Sequence, residues 1–127
     1  MARFLSEEFM RAATEALNAD PGFQAAAKGV ELGLQFVVTG APDGDLQYHL
    51  DVRDGRATMA LGELPDADAT VTSDYETAVA LSKGDLNVQM AFMTGKIKVG
   101  GNMAKIMMNQ GLINEFARVQ STLDVEY

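Results

Sequence analysis

The one histidine of the chain, His49, lies between Gln47 and Asp51 in an alternating run of residues. A nucleophilic triad would need a hydroxyl and a carboxylate around that ring, and separation along the chain does not test this. The alternation itself reads His49 as an exposed strand residue. Cysteine is absent, which removes disulfides, thiolate metal sites and cysteine nucleophiles. A multi-histidine zinc site is excluded by the histidine count. Asp43-Gly44-Asp45 opens like a calcium loop, but its sixth position is Tyr48, where the sharp turn requires glycine. Gly95 and Gly100 have the first spacing of a phosphate loop, yet Gly101-Asn102 follows where Lys-Ser or Lys-Thr must stand. No Gly-x-Gly-x-x-Gly occurs, so a dinucleotide fold lacks its main support. No catalytic residue, metal or cofactor is expected.

A different chemistry is concentrated near the C-terminus. Of eight methionines, five (Met90, Met93, Met103, Met107 and Met108) fall between residues 90 and 108. Methionine is unbranched and polarizable, so it fits irregular apolar shapes. The cluster reads either as core filling or as an adaptable pocket for a flexible hydrocarbon. Charge is segregated too. Residues 1–95 hold six basic and 15 acidic side chains, while residues 96–118 hold Lys96, Lys98, Lys105 and Arg118 against Glu115 alone. The whole chain, at 127 residues and net −8, has the length of one domain and a poor charge balance for nucleic acid. No apolar run approaches the roughly 20 residues of a membrane span. Residues 2–8 turn acidic where a signal peptide would continue apolar. A cytoplasmic single domain over residues 1–127 is expected, with at most transient membrane contact.

The periodicities indicate what must position these residues. Ser6 caps a helix with Phe9, Ala13, Ala16 and Leu17 at helical spacing, and Asp20-Pro21 starts a second that ends at Gly29. The period then drops to two. Val30, Leu32, Leu34, Phe36 and Val38 alternate with more polar residues, as do Leu46, Tyr48, Leu50 and Val52. Asp54-Gly55 predicts a two-residue hairpin leading to Ala57, Met59 and Leu61, all facing inward. Ala67, Ala69 and Val71 form a fourth strand. Ser73 and Glu76 suggest a capping box for a helix carrying Tyr75, Ala78, Val79 and Ser82, closed by Gly84. Asn87 caps a short helix with Met90, Ala91 and Phe92. Ile97 and Val99 alternate with lysines as an edge strand. Asn102 caps a helix bearing Met103, Ile106 and Met107, and Gly111 is expected to interrupt it. Leu112, Ile113, Phe116 and Val119 make a final amphipathic helix, and the tail after Gln120 is expected to fray.

The stretch Ala91-Phe92-Met93-Thr94-Gly95-Lys96-Ile97-Lys98-Val99-Gly100-Gly101-Asn102-Met103 resembles the signature of the sterol carrier protein type 2 family. Its features are a phenylalanine, Gly-Lys, alternating apolar residues, a glycine, and an Asn opening a helix. The residues from Asp68 to Asn87 are similar to the strand and helix that precede it, and the likeness is close over about residues 67 to 116. The resemblance implies an α/β (α+β) fold: a curved, mostly antiparallel five-stranded sheet under about five helices. It further implies a hydrophobic tunnel that binds fatty acids, fatty acyl-CoA, sterols or other lipids without chemistry. The chain ends in Val125-Glu126-Tyr127, which differs from a peroxisomal Ser-Lys-Leu.

On this reading the ligand lies between Phe36 and Tyr48 of the sheet and helices carrying Phe92, Met93, Met103, Ile106, Met107, Leu112, Ile113 and Phe116. Lys96, Lys98 or Lys105 would receive an anionic head group. The terminal helix, loosened by Gly111, would act as a movable cover. Two other readings stay open: an interaction or dimerisation module using the Met-rich C-terminal helices, and an accessory domain descended from an enzyme. The sequence leaves the oligomeric state undetermined.

Overall fold

The computed structural model describes residues 2–127. Its elements in chain order are β1 (Ala2–Arg3), α1 (Glu7–Ala19), α2 (Pro21–Ala27), β2 (Leu32–Thr39), β3 (Leu46–Arg53), β4 (Arg56–Leu61), β5 (Ala69–Asp74), α3 (Tyr75–Lys83), α4 (Val88–Met93), β6 (Ile97–Gly101), α5 (Met103–Met108), α6 (Gln110–Ser121) and β7 (Val125–Glu126). Five strands form one sheet in the order β4-β3-β2-β5-β6. Only the central β2·β5 pair is parallel; the other three ladders run antiparallel. The expected fold class is therefore correct, with six helices rather than about five.

Local chemistry sets the boundaries. The Ser6 hydroxyl accepts from Phe9 N–H, and the Asp20 carboxylate accepts from Phe23 N–H ahead of Pro21. Asp54 and Gly55 both take positive φ, 53° and 74°, as a tight hairpin with the right-handed twist of its strands requires. One face of the sheet carries Leu32, Leu34, Val38, Tyr48, Leu50, Val52, Ala57 and Met59 into a continuous core with Phe9, Met10, Leu17, Phe23, Leu112 and Val119. α1 also completes the free edge of β4. Asn18 accepts from Ala57 N–H and donates to Ala57 C=O, both at 2.8 Å, and the Thr14 hydroxyl accepts from Met59 N–H at 2.9 Å. These side chains stand where a further strand would otherwise bond.

Several expectations are corrected. Gln35, read as facing water, is buried because the β4–β5 connection folds across it: its amide donates to Tyr48 C=O and Gly62 C=O and accepts from Leu64 N–H at 2.7 Å. Leu61 is exposed at the end of β4 rather than inward. Ser73 does not cap α3, since it is held in the sheet opposite Val38 and Ile97; Asp74 caps instead, accepting from Thr77 N–H. The break before the last helix falls at Asn109, whose side chain donates to Lys105 C=O, and Gly111 lies within the first turn of α6. The tail does not fray. β7 pairs with β1, Tyr127 packs on Phe4 with ring centroids 5.0 Å apart, and the Tyr127 and Ser82 hydroxyls share a hydrogen bond of 2.7 Å.

Candidate functional site

Between the sheet and α3–α6 lies an apolar cavity of about 100 Å³. Its floor is Leu34 and Phe36 of β2, Tyr48 of β3, Val71 of β5, and Ile97 and Val99 of β6. Its roof is made by Ala78 and Leu81 of α3, Val88 of α4, Ile106 of α5, and Ile113, Phe116 and Ala117 of α6. The rings define one wall: Phe36 stacks on Tyr48 at 4.7 Å with planes 9° apart, and Phe116 closes on Phe36 at 6.0 Å. This wall follows from register, since Phe36 and Tyr48 are directly opposed in the β2·β3 ladder. A few polar groups interrupt the apolar lining, namely Ser73, Gln110, Gln120 and the Tyr48 phenol. Burial pushes the Tyr48 phenol far above its ordinary value, so it stays neutral.

Of the ligand residues expected from sequence, Phe36, Tyr48, Ile106, Ile113 and Phe116 are brought together around this cavity. Leu112 is buried on the core side of α6. Phe92, Met93, Met103 and Met107 point away, and all four are exposed. The physical reason is length. α4 and α5 have six residues each, and each buries a single side chain, Ala91 and Ile106 respectively. Val71, Leu81, Val88 and Gln120 line the cavity without having been singled out. Gln120 is buried because it continues the face of α6 that carries Ile113, Phe116 and Ala117 over the cavity.

The expected head-group lysines also separate. Lys105 Nζ lies 3.1 Å from Asp68 Oδ1, and Asp68 Oδ2 accepts from Gly33 N–H at 2.8 Å. Partial burial pushes the Asp68 carboxyl up, but the Gly33 bond and then Lys105 outweigh it and hold the group below its usual range. Lys105 is thus a brace between α5 and the sheet. Lys96 and Lys98 are exposed on the β6 side and make no ion pair among the described residues. His49 bonds the Gly62 carbonyl through Nδ1 at 3.0 Å. Among the described residues no cluster of His, Asp or Glu could hold a metal ion, and no helix is long and apolar enough to cross a membrane.

A mostly antiparallel five-stranded sheet covered by short helices is the fold that the sequence signature implied. The model of the SCP-2 sterol transfer family matches residues 9–114. The chain belongs to that family. Sterol carrier protein 2 of Gallus gallus is 35% identical over 78 residues, 61% of this chain and 14% of that protein, so the chain spans only a small part of this relative. The crystal structure of a sterol carrier protein 2 superposes with a TM-score of 0.82 at 22% identity, covering 96% of this chain and 100% of that one. The palmitated SCP2L2 of Aedes aegypti gives a TM-score of 0.60 at 23% identity, over 90% of this chain and 92% of that one. These two structures share the SCP-2 fold with the chain.

Proposed function

We propose that this SCP-2 domain binds one long hydrocarbon ligand, a fatty acid or fatty acyl-CoA before a sterol, in the cavity between sheet and helices, and performs no reaction on it. The observation that carries the reading is the aromatic and aliphatic cavity beneath α3–α6, in a family whose fold neighbours include a palmitated protein. Each buried ligand methylene contributes about 0.8 kcal/mol, so a long chain binds without many polar contacts. At about 100 Å³ the cavity is smaller than the roughly 150 Å³ that holds benzene, so a long chain needs the roof to move.

The element suited to move is α4, which buries only Ala91, whereas α5 is braced by Lys105 on Asp68. The expected cover, α6, is more firmly held: Arg118 pairs with Asp20 and Glu115, and the chain beyond it is pinned by β7. Lys96 or Lys98 then meets an anionic head group, because Lys105 is already engaged with Asp68.

Displacement of a fluorescent fatty acid tests this. Affinity should rise with chain length, and Ile113→Trp should weaken it at least tenfold. The same substitution should alter stability by less than the roughly 1–3 kcal/mol of overpacking, because the ring has a void to enter. No displacement by chains of about 8 to 18 carbons at about 100 µM, a threshold near −5.5 kcal/mol, would end the reading. The alternative, an interaction or dimerisation module, has in its favour the exposure of the Met-rich helices. Native mass spectrometry separates the two as a retained lipid or an apo dimer.

A further inference from the structure

We infer that Tyr48 and Gln120, one in the floor and one in the roof of the cavity, select a long hydrocarbon that carries one uncharged oxygen, a hydroxyl or a carbonyl, on its buried part. The inference rests on the proposed binding of a hydrocarbon in this cavity and adds the chemical class of the chain.

Both side chains are polar exceptions in apolar series. The inward positions of β3 are Leu46, Tyr48, Leu50 and Val52, and the cavity face of α6 runs through Ile113, Phe116 and Ala117 to Gln120. Tyr48 is 6% exposed and Gln120 9%. Among the described residues, neither the Tyr48 phenol nor the Gln120 amide makes a hydrogen bond; the bond from Gln35 to Tyr48 uses the backbone carbonyl. Burial alone sets the raised value of the phenol, with no hydrogen bond acting on it. Neither group is sealed in, because no fully enclosed side-chain N or O among the described residues lacks a partner. Their polar atoms therefore border open space, and the space that both residues line is the cavity. A phenylalanine would stack on Phe36 as well as Tyr48 does. The hydroxyl is thus an addition that nothing in the protein uses, at a site where an unpaired polar group is costly.

Donor chemistry and charge specify the ligand group. A phenol hydroxyl donates or accepts, and a carboxamide does both at separate atoms. A ligand hydroxyl between them can accept from one wall and donate to the other, while a carbonyl can accept from both. The Ser73 hydroxyl, which also makes no bond among the described residues, offers a third contact. Gln110 is already engaged, its Oε1 accepting from Gln89 at 3.2 Å. No lysine, arginine, aspartate or glutamate lines the cavity. Arg118, next to Ala117 in the chain, is held by Asp20 and Glu115. An ionised head group inside would therefore lack a counter-charge, which is far more costly than burying a neutral oxygen. A plain alkyl chain has the opposite fault: it excludes water from Tyr48 and Gln120 and returns no hydrogen bond. A cavity of this kind discriminates against the chain that lacks the oxygen.

The test is displacement of a fluorescent fatty acid from the full chain by octadecanoic acid and by a positional series of octadecanoic acids bearing one hydroxyl or one keto group. At least one oxygenated member should bind about tenfold more tightly than the plain acid. Tyr48→Phe and Gln120→Leu should each reduce that preference about fivefold without weakening the plain acid. Neither substitution should lower the urea midpoint, since no bond within the protein is lost. A plain acid that matches every oxygenated chain overturns the inference, as does a preference that survives both substitutions. A lower urea midpoint for Tyr48→Phe also overturns it, because the phenol would then have a partner inside the protein. The two readings fail differently. Displacement by the plain acid with no preference removes only this inference, whereas no displacement by any chain removes the proposed function and the inference with it.

Discussion

Gly101 is the position where one added carbon should do the most damage. It sits at the end of β6 opposite Ala69, with φ at +102°, a backbone conformation that an L side chain resists. A Cβ there would lie 2.6 Å from Asp68 C=O and 2.9 Å from the Ala69 Cα. Both are backbone atoms, and neither can retreat cheaply. The Asp68 carbonyl accepts from Asn102 N–H at 2.8 Å, and Asp68 N–H donates to Gly33 C=O at 2.8 Å. Backbone strain of this kind costs about 1–3 kcal/mol. Losing the Asn102 bond adds about 1 kcal/mol. Gly101→Ala should thus destabilise by about 2–4 kcal/mol, which for a chain of this length lowers Tm by about 10 °C. Gly100→Ala is the control: a Cβ there meets nothing within 4 Å. It should change stability by less than about 1 kcal/mol. Urea and thermal unfolding of both variants decide the matter. A Gly101→Ala protein that melts within a few degrees of the Gly100→Ala protein would refute the close approach of β6 to the start of β5.

Two further substitutions or conditions probe the scaffold. Gln35→Leu keeps the volume of a buried side chain but strands the Leu64 N–H, and should cost about 1–3 kcal/mol in urea unfolding; a neutral result would show that the β4–β5 connection does not lie over Gln35. Acid should also weaken the fold. Asp20, Asp68 and Asp74 are all held below the ordinary carboxylate value of 3.8, so their contribution is fully present above that value and is lost as pH falls through the lowered ones. The urea midpoint should be flat from pH 7 to about pH 5 and fall below about pH 4, with a shallower fall in Asp68→Asn.

The parts of the fold legible in sequence are those governed by neighbours in the chain. Asp54-Gly55, Asp20-Pro21 and the alternation through β2 and β3 each specify their own geometry, and the alternation put Phe36 and Tyr48 on the inward face; their direct pairing is set by the ladder. Reading failed where a distant segment decides. Gln35 is polar at a polar position, and only the crossing of the β4–β5 connection buries it. Ser73 and Asp74 are both good caps, and the choice falls to the ladder that claims Ser73. The methionines show the limit most clearly. Spacing identified α4 and α5 as helices but could not show which side would find a partner, because a six-residue helix offers the core one buried side chain each. Ala91 and Ile106 take those positions, and the longer apolar residues beside them are left in solvent. Asp68 had no local signature at all. Its importance comes from three parts of the chain meeting at one residue: Gly33 from β2, Asn102 at the cap of α5, and Lys105 within α5. That junction fixes the N-terminal end of the helix over the cavity, while its C-terminal end at Asn109 is held by bonds within its own last turn.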